Sequence, residues 1–181
     1  MVEGQTEYRI VFANPVNLET ANILRSRIVG AMDQNNFGSL TIAFSSEGGS
    51  TDQSVALYNF IRQLPVTVHM HATGHVGSAS IPVFLAAEKR TSAKHARFFF
   101  HEYDWGFGER QTLHRIEEAT MRLRSDIDIA KSIIQSRVPD IPANAMAAVS
   151  GDGPSVIITS DEAKDFKIVS DGKQFPQVPK K

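Results

Sequence analysis

Apolar runs of strand length at residues 8–12, 40–44, 66–70 and 97–100 alternate with segments whose apolar residues recur at helical spacing. Two strands joined through a helix pair in parallel, because the crossover returns the chain to the same end of the sheet. The predicted fold class is therefore α/β, with ligands expected where strand ends give way to helix starts.

The local signals place each element. Asn17 caps a helix carrying Ala21, Leu24, Ile28 and Met32 inward, and Asn35, Asn36 and Gly38 end it. The strand at 40–44 runs into a loop, residues 45–50, and a helix with Val55, Leu57, Phe60, Ile61 and Leu64 inward that Pro65 stops. After the strand at 66–70, residues 74–77 read as a turn and 78–87 as an apolar helix whose first turns accept Pro82. The buried strand at 97–100 ends at His101. Beyond residue 140 come a short helix to 148, a Gly/Pro loop at 150–155, a strand at 156–159, a helix from 160, a strand at 166–169 and a frayed tail at 174–181.

Between these parts, Leu113, Ile116, Thr120, Leu123, Ile127, Ala130 and Ile134 recur at alternating steps of three and four, a heptad-like stripe on one helix over 112–137. Such a helix is roughly 39 Å long at about 1.5 Å per residue, more than a small domain needs for its own core. It either protrudes and bridges subunits or lies across its own sheet.

Composition limits the function classes. A chain of 181 residues suits one domain. Its 19 Lys and Arg against 20 Asp and Glu form no basic face for nucleic acid. Cysteine is absent, which removes a thiol nucleophile and thiolate metal sites and is compatible with a reducing compartment. The acidic, polar start is unlike a signal peptide, and no run is long enough to span a bilayer, so a soluble cytoplasmic protein is expected, without a membrane partner.

Three pieces carry chemistry. Gly77-Ser78-Ala79 sits between a strand-like and a helix-like run, Gly48-Gly49 ends another strand, and His101 ends a third. A hydroxyl, a loop of backbone donors and an imidazole are the minimum kit for acyl transfer. Each has a plainer reading: Ser78 as a helix cap, Gly48-Gly49 as a tight turn and His101 as a structural residue. Ser80 rivals Ser78 as nucleophile but points elsewhere two residues into the helix. His69, His71 and His75 have a spacing that could hold a metal, yet no carboxylate lies nearby in sequence, and no metal or cofactor is expected. Tyr103, Trp105 and Phe107 suit either a binding surface or a core or subunit interface.

Taken together the motifs resemble the Clp protease proteolytic subunit family. Ser-Glu-Gly-Gly-Ser at 46–50 resembles its Ser-Pro-Gly-Gly-Ser loop, and residues 74–79, Gly-His-Val-Gly-Ser-Ala, resemble its nucleophile turn, continued by Leu85-Ala86-Ala87. Phe100-His101-Glu102 resembles its strand-terminal histidine motif. Residues 159–163 and 166–169 resemble its Ser-x-x-Glu-Ala and Tyr-Gly-Leu-Val segments, so the likeness spans about 8–171.

The resemblance implies a crotonase-like fold of repeated strand-strand-helix turns, with a head at about 8–105 and 140–171 and a protruding handle helix at about 110–138. It implies a serine peptidase with Ser78 as nucleophile, His101 as base and the N–H groups of Gly49 and Ala79 as oxyanion hole. A peptide or unfolded chain would add as a strand beside Gly48, Ser50, Glu102 and Tyr103. A ring-shaped homo-oligomer follows, a heptamer or two stacked ones. In the family an Asp sits four residues before the position of Thr159; here that position is Ser155, and Asp152 becomes the expected third triad member. Glu47 replaces the loop proline. Thr41 and Ala43 stand where related subunits often carry aromatics that dock an ATP-driven unfoldase, and little chain precedes the first strand to build an axial gate, which speaks against that partner. Two alternatives stay open: a weak or inactive ring scaffold, and a crotonase-type acyl-CoA enzyme using the same oxyanion loop.

Overall fold

A computed structural model describes residues 7–34 and 37–170. Strand β1 (Glu7–Ala13) leads to α1 (Leu18–Gln34), β2 (Ser39–Ser46), α2 (Thr51–Arg62), β3 (Thr67–Gly77) and α3 (Ser80–Leu85). Then come β4 (Lys89–Ser92), β5 (Arg97–Phe100), α4 (Leu113–Arg137), α5 (Ala143–Ser150), β6 (Val156–Thr159) and α6 (Ser160–Asp165). The sheet order is β1-β2-β3-β5-β6, parallel as far as β5, with β6 antiparallel at the end. Among the described residues no helix is long and apolar enough to cross a membrane.

Alternation along the strands separates two faces. Ile10, Phe12, Leu40, Ile42, Phe44, Val68, Met70, Phe98 and Phe100 bury one face in the core with Ala21, Leu24 and Ile28 of α1. Phe84 of α3 completes a chain of rings, 6.2 Å from Phe44 and 5.3 Å from Phe98, while Phe44 stacks on Phe12 at 5.4 Å. The opposite face is polar and bonded within itself. Thr91 Oγ1 lies 2.8 Å from both His69 Nε2 and His71 Nδ1, and the Glu7 carboxylate takes bonds from Arg9 and Thr41.

Asn17 acts as the expected cap, and two further caps fix helix starts. Asn17 Oδ1 accepts from Thr20 N–H at 2.9 Å, Thr112 caps α4, and Thr159 with Glu162 closes a capping box on α6. Three expectations are corrected. Residues 74–77 are not a turn: β3 continues to Gly77, bulging against β2 between Phe44 and Ser46, and its second half pairs with β5. Strand β4, unforeseen, pairs with the first half of β3. Residues 166–169 form a turn, in which Lys167 adopts φ 59° and Val169 N–H donates to Ala163 O, so Ile168 and Val169 are buried without strand pairing. Asn35, Asn36 and the tail from 174 lie outside the described residues.

Helix α4 is divided along its length. Its C-terminal half buries Ala130, Ile133 and Ile134, whereas Leu113, Ile116 and Met121 are 72%, 43% and 69% exposed. The heptad-like stripe therefore packs on the core from Leu123 and Ile127 onward, and its first residues, Leu113 and Ile116, are exposed. Ile134→Ala is expected to cost about 2–5 kcal/mol in denaturant unfolding, while Ile116→Ala stays within about 0.5 kcal/mol in the dilute protomer. Equal losses at the two positions would mean that the first half is packed as well.

Candidate active site

Three strand ends converge on Ser78. It follows β3, its N–H donates to Phe99 O on β5 at 3.0 Å, and its φ of 53° is left-handed, a strained value for a residue with a side chain. The side chain is half-buried, and its hydroxyl makes no hydrogen bond among the described residues. Ser80 differs in each respect. It is fully buried, accepts from Gly77 N–H at 2.9 Å, and lies 2.9 Å from Ser46 O and 2.7 Å from Gly77 O, so it is committed to holding the turn.

The Gly48-Gly49 loop packs directly on this turn. A Cβ on Gly48 would lie 2.7 Å from Ser78 Cβ and 2.8 Å from Gly77 O, and one on Gly49 would lie 2.4 Å from Val16 O. Both glycines also have positive φ, 104° and 135°, so the doublet serves turn and close approach together. Val16 fixes the loop, donating to Gly48 O and accepting from Ser50 N–H, each at 2.7 Å. Gly49 N–H and Ala79 N–H donate to no group among the described residues.

His101 follows β5 and stacks on Phe99 with ring centres 5.0 Å apart. His75 also lies beside Phe99, with ring centres 5.9 Å apart, its Nδ1 accepting from Arg97 Nε at 3.3 Å and its Nε2 leaning over Gly77. Burial first, then the Arg97 cation, holds the His75 imidazole below the ordinary histidine range, against the opposing pull of Glu47. His75 thus belongs to the neighbourhood of Ser78, while His69 and His71 share Thr91 elsewhere on the sheet.

The remaining predicted residues divide. Asp152 lies on an exposed loop, its N–H bonded to Ala147 O, and its carboxylate makes no hydrogen bond to His101. The antiparallel ladder ends at Phe100 paired with Val156, so His101 and Ser155 are the next residues of the two strands beyond its last pair. Glu102 is exposed and lies against Gly151, where a Cβ would meet its carboxylate at 2.6 Å. Ser50 caps α2, and Tyr103 is buried, its hydroxyl pKa raised by burial and then by the Asp126 carboxylate. Trp105 and Phe107 are exposed beside the handle, with the Arg122 guanidinium 5.0 Å from the Trp105 ring centre. Sequence reasoning missed Ser54, whose buried hydroxyl donates to Ala79 O. The signal was there: a serine on the inward face with Leu57 and Ile61.

The Clp protease family model matches residues 4–144. The ATP-dependent Clp protease proteolytic subunit 3 of Rhizobium etli is 27% identical over 171 residues, 89% of this chain and 81% of its own length. The ATP-dependent Clp protease proteolytic subunit 2 of Borreliella burgdorferi is 30% identical over 100 residues, 54% of this chain and 50% of its own. Among solved structures, a mutant ClpP1 from Listeria monocytogenes superposes with a TM-score of 0.73 at 23% identity, covering 89% of this chain and 88% of that one, which shows a shared fold.

The histidines give the fold a pH signature. Burial lowers the pKa of His69, His71 and His75 from 6.5, so below that value the unfolded chain binds more protons than the native one and stability is lost as pH falls. Glu7 does not overlap: burial opposes, but bonds from Arg9 and Thr41 set its carboxyl below 4.5. The urea midpoint is expected to drop between about pH 7.5 and about pH 5.5, and less so in His69→Gln/His71→Gln. An equally steep drop in the double variant would place the effect elsewhere.

Proposed function

Because the chain belongs to the Clp protease family, we propose that it hydrolyses peptide bonds through an acyl-enzyme on Ser78, with His101 as general base. The elbow carries this reading: a left-handed Ser78 with an uncommitted hydroxyl, seated on Gly48 beside two unengaged N–H groups. A serine hydroxyl is a weak nucleophile unless a base takes its proton. His101 takes it as Oγ attacks the substrate carbonyl, and the electron pair displaced onto oxygen is met by Gly49 N–H and Ala79 N–H. Collapse breaks the C–N bond, and the imidazolium returns its proton to the leaving amine. A water deprotonated by His101 then opens the ester and restores Ser78. The cycle balances without a metal or organic cofactor.

The substrate is a peptide or unfolded chain lying extended past Gly48 and Glu102, with Ser50 and Tyr103 supporting from behind as cap and core. Asp152 is the orienting carboxylate, its loop closing on His101 in the substrate complex, since uncomplexed sites are commonly looser than working ones. Assembly is a homo-oligomeric ring, a heptamer or a stacked pair. The exposed Leu113, Ile116 and Met121 of the handle, with Trp105 and Phe107, support it by offering an apolar surface for another copy. A second reading, a catalytically weak ring scaffold, is favoured by the lack, among the described residues, of a hydrogen bond from His101 to a carboxylate.

A fluorophosphonate is expected to label the wild type and Ser80→Ala but not Ser78→Ala, each checked for folding by circular dichroism. No labelling of the wild type, or undiminished labelling of Ser78→Ala, would refute the nucleophile assignment.

The third member has its own test. Asp152→Asn is expected to lower kcat on a fluorogenic peptide about tenfold or more, and adding Ser155→Asp should restore it by placing a carboxylate in register with His101. Full activity in Asp152→Asn would remove Asp152 from the mechanism.

A further inference from the structure

We infer that Ser54 is a positioning residue of the oxyanion site, its hydroxyl setting the spacing between the Gly49 and Ala79 N–H groups; this rests on the peptidase reading above. Ser54 sits in the first turns of α2, 1% exposed, on the face that also buries Leu57 and Ile61. A buried serine in a helix ordinarily bonds back to the carbonyl one turn earlier. Here the hydroxyl instead reaches out of the helix to Ala79 O, 25 residues along the chain.

The bond joins the two halves of the site. Gly49 directly precedes Ser50, the cap of α2, and Ser54 lies about one helical turn further on. One rigid turn therefore separates the first donor from the hydroxyl that grips the residue bearing the second. Ala79 is the N-cap of α3, so its carbonyl also accepts the first backbone bond of that helix, but its own side chain is a methyl group and makes no capping bond. The neighbouring units are each held. Ser80 binds Gly77, Phe99 O receives Ser78 N–H, and Ile81 N–H donates to Ser78 O at 3.0 Å. At Ala79 the corresponding anchor is Ser54, and Ala79 is itself 1% exposed, so bulk water is a poor substitute. An oxyanion hole works by donors fixed before charge develops, so a loosened Ala79 weakens transition-state binding more than substrate binding.

The test compares Ser54→Ala and Ser54→Thr with wild type, reading kcat and KM on a fluorogenic peptide and inhibition by a peptide boronate, whose tetrahedral adduct on Ser78 requires the same donors. Ser54→Ala is expected to lower kcat and boronate affinity together, by about tenfold, with KM within about twofold, and Ser54→Thr to recover most of both. Unchanged kcat and boronate affinity in Ser54→Ala, whatever the loss in melting temperature, would overturn the positioning role, as would a loss confined to KM. A wild type that neither cleaves peptide nor binds boronate would defeat the peptidase reading and this inference with it; an active wild type matched by Ser54→Ala defeats the inference alone.

Discussion

The rest of the site depends on the seating of Gly48 on Ser78. No side chain fits between them, since a Cβ on Gly48 would overlap Ser78 Cβ, Gly77 O and Ala79 N. The ends of β2 and β3 can meet this closely because β3 bulges past Ser45 and re-pairs at Ser46 with Val76. Ser80 then ties Ser46 O to Gly77, and Ser78 N–H closes the third side on Phe99. A left-handed serine costs about 1–3 kcal/mol, and it persists because these bonds over-determine it. Strain at Ser78 is thus a consequence of the sheet's register.

The far end of the elbow helix is held as well. Arg137 near the end of α4 donates to Leu85 O at 2.8 Å and Ala87 O at 2.8 Å, giving partners to carbonyls that the end of α3 leaves without helical bonds. Further up α4, Asp126 accepts from Thr51 at 2.6 Å and Arg122 pairs with Asp52 at 3.2 Å, both in the first turn of α2. Exposed pairs such as the latter stabilise little, but their placement matters. The helix that begins beside the Gly-Gly loop and the helix that begins two residues after Ser78 lean on one long element, α4, which touches the first at Arg122 and Asp126 and the second at Arg137.

How much of this was legible follows from which interactions are local. Caps and periodicity are local, so Asn17 located the start of α1 and the apolar stripe from Leu113 to Ile134 located α4 to within a residue of its start, and the order of Gly48-Gly49, Ser78 and His101 along the chain supplied the candidate site. Pairing is not local. Gly74 and Gly77 read as turn formers, yet the neighbouring strands hold that stretch extended. Lys89–Ser92 has a charged start and one buried residue, Thr91, and becomes a strand only because β3 offers it an edge. Residues 166–169 misled in the other direction: Ile168 and Val169 are apolar because they are buried beneath a turn, not because they pair. Which serine is uncommitted depends on contacts 25 to 34 residues away, and no local rule carries those.

The imidazole shows where a built site and a finished one part company. Stacking on Phe99 limits the plane of the His101 ring, but it neither selects a tautomer nor compensates the positive charge that appears when Ser78 gives up its proton. A carboxylate does both, and the residue that follows the last ladder pair on the strand facing His101 is Ser155, which has none. An amide needs help twice, in forming the oxyanion and in protonating its poor leaving group, and the second task falls wholly on the imidazolium. A reactive electrophile with a good leaving group needs only the elbow and the donors. The proposed mechanism therefore separates two capacities: acylation of Ser78 by activated reagents would draw on the Gly48 contact and the N–H pair, whereas peptide turnover would draw in addition on the loop that carries Asp152.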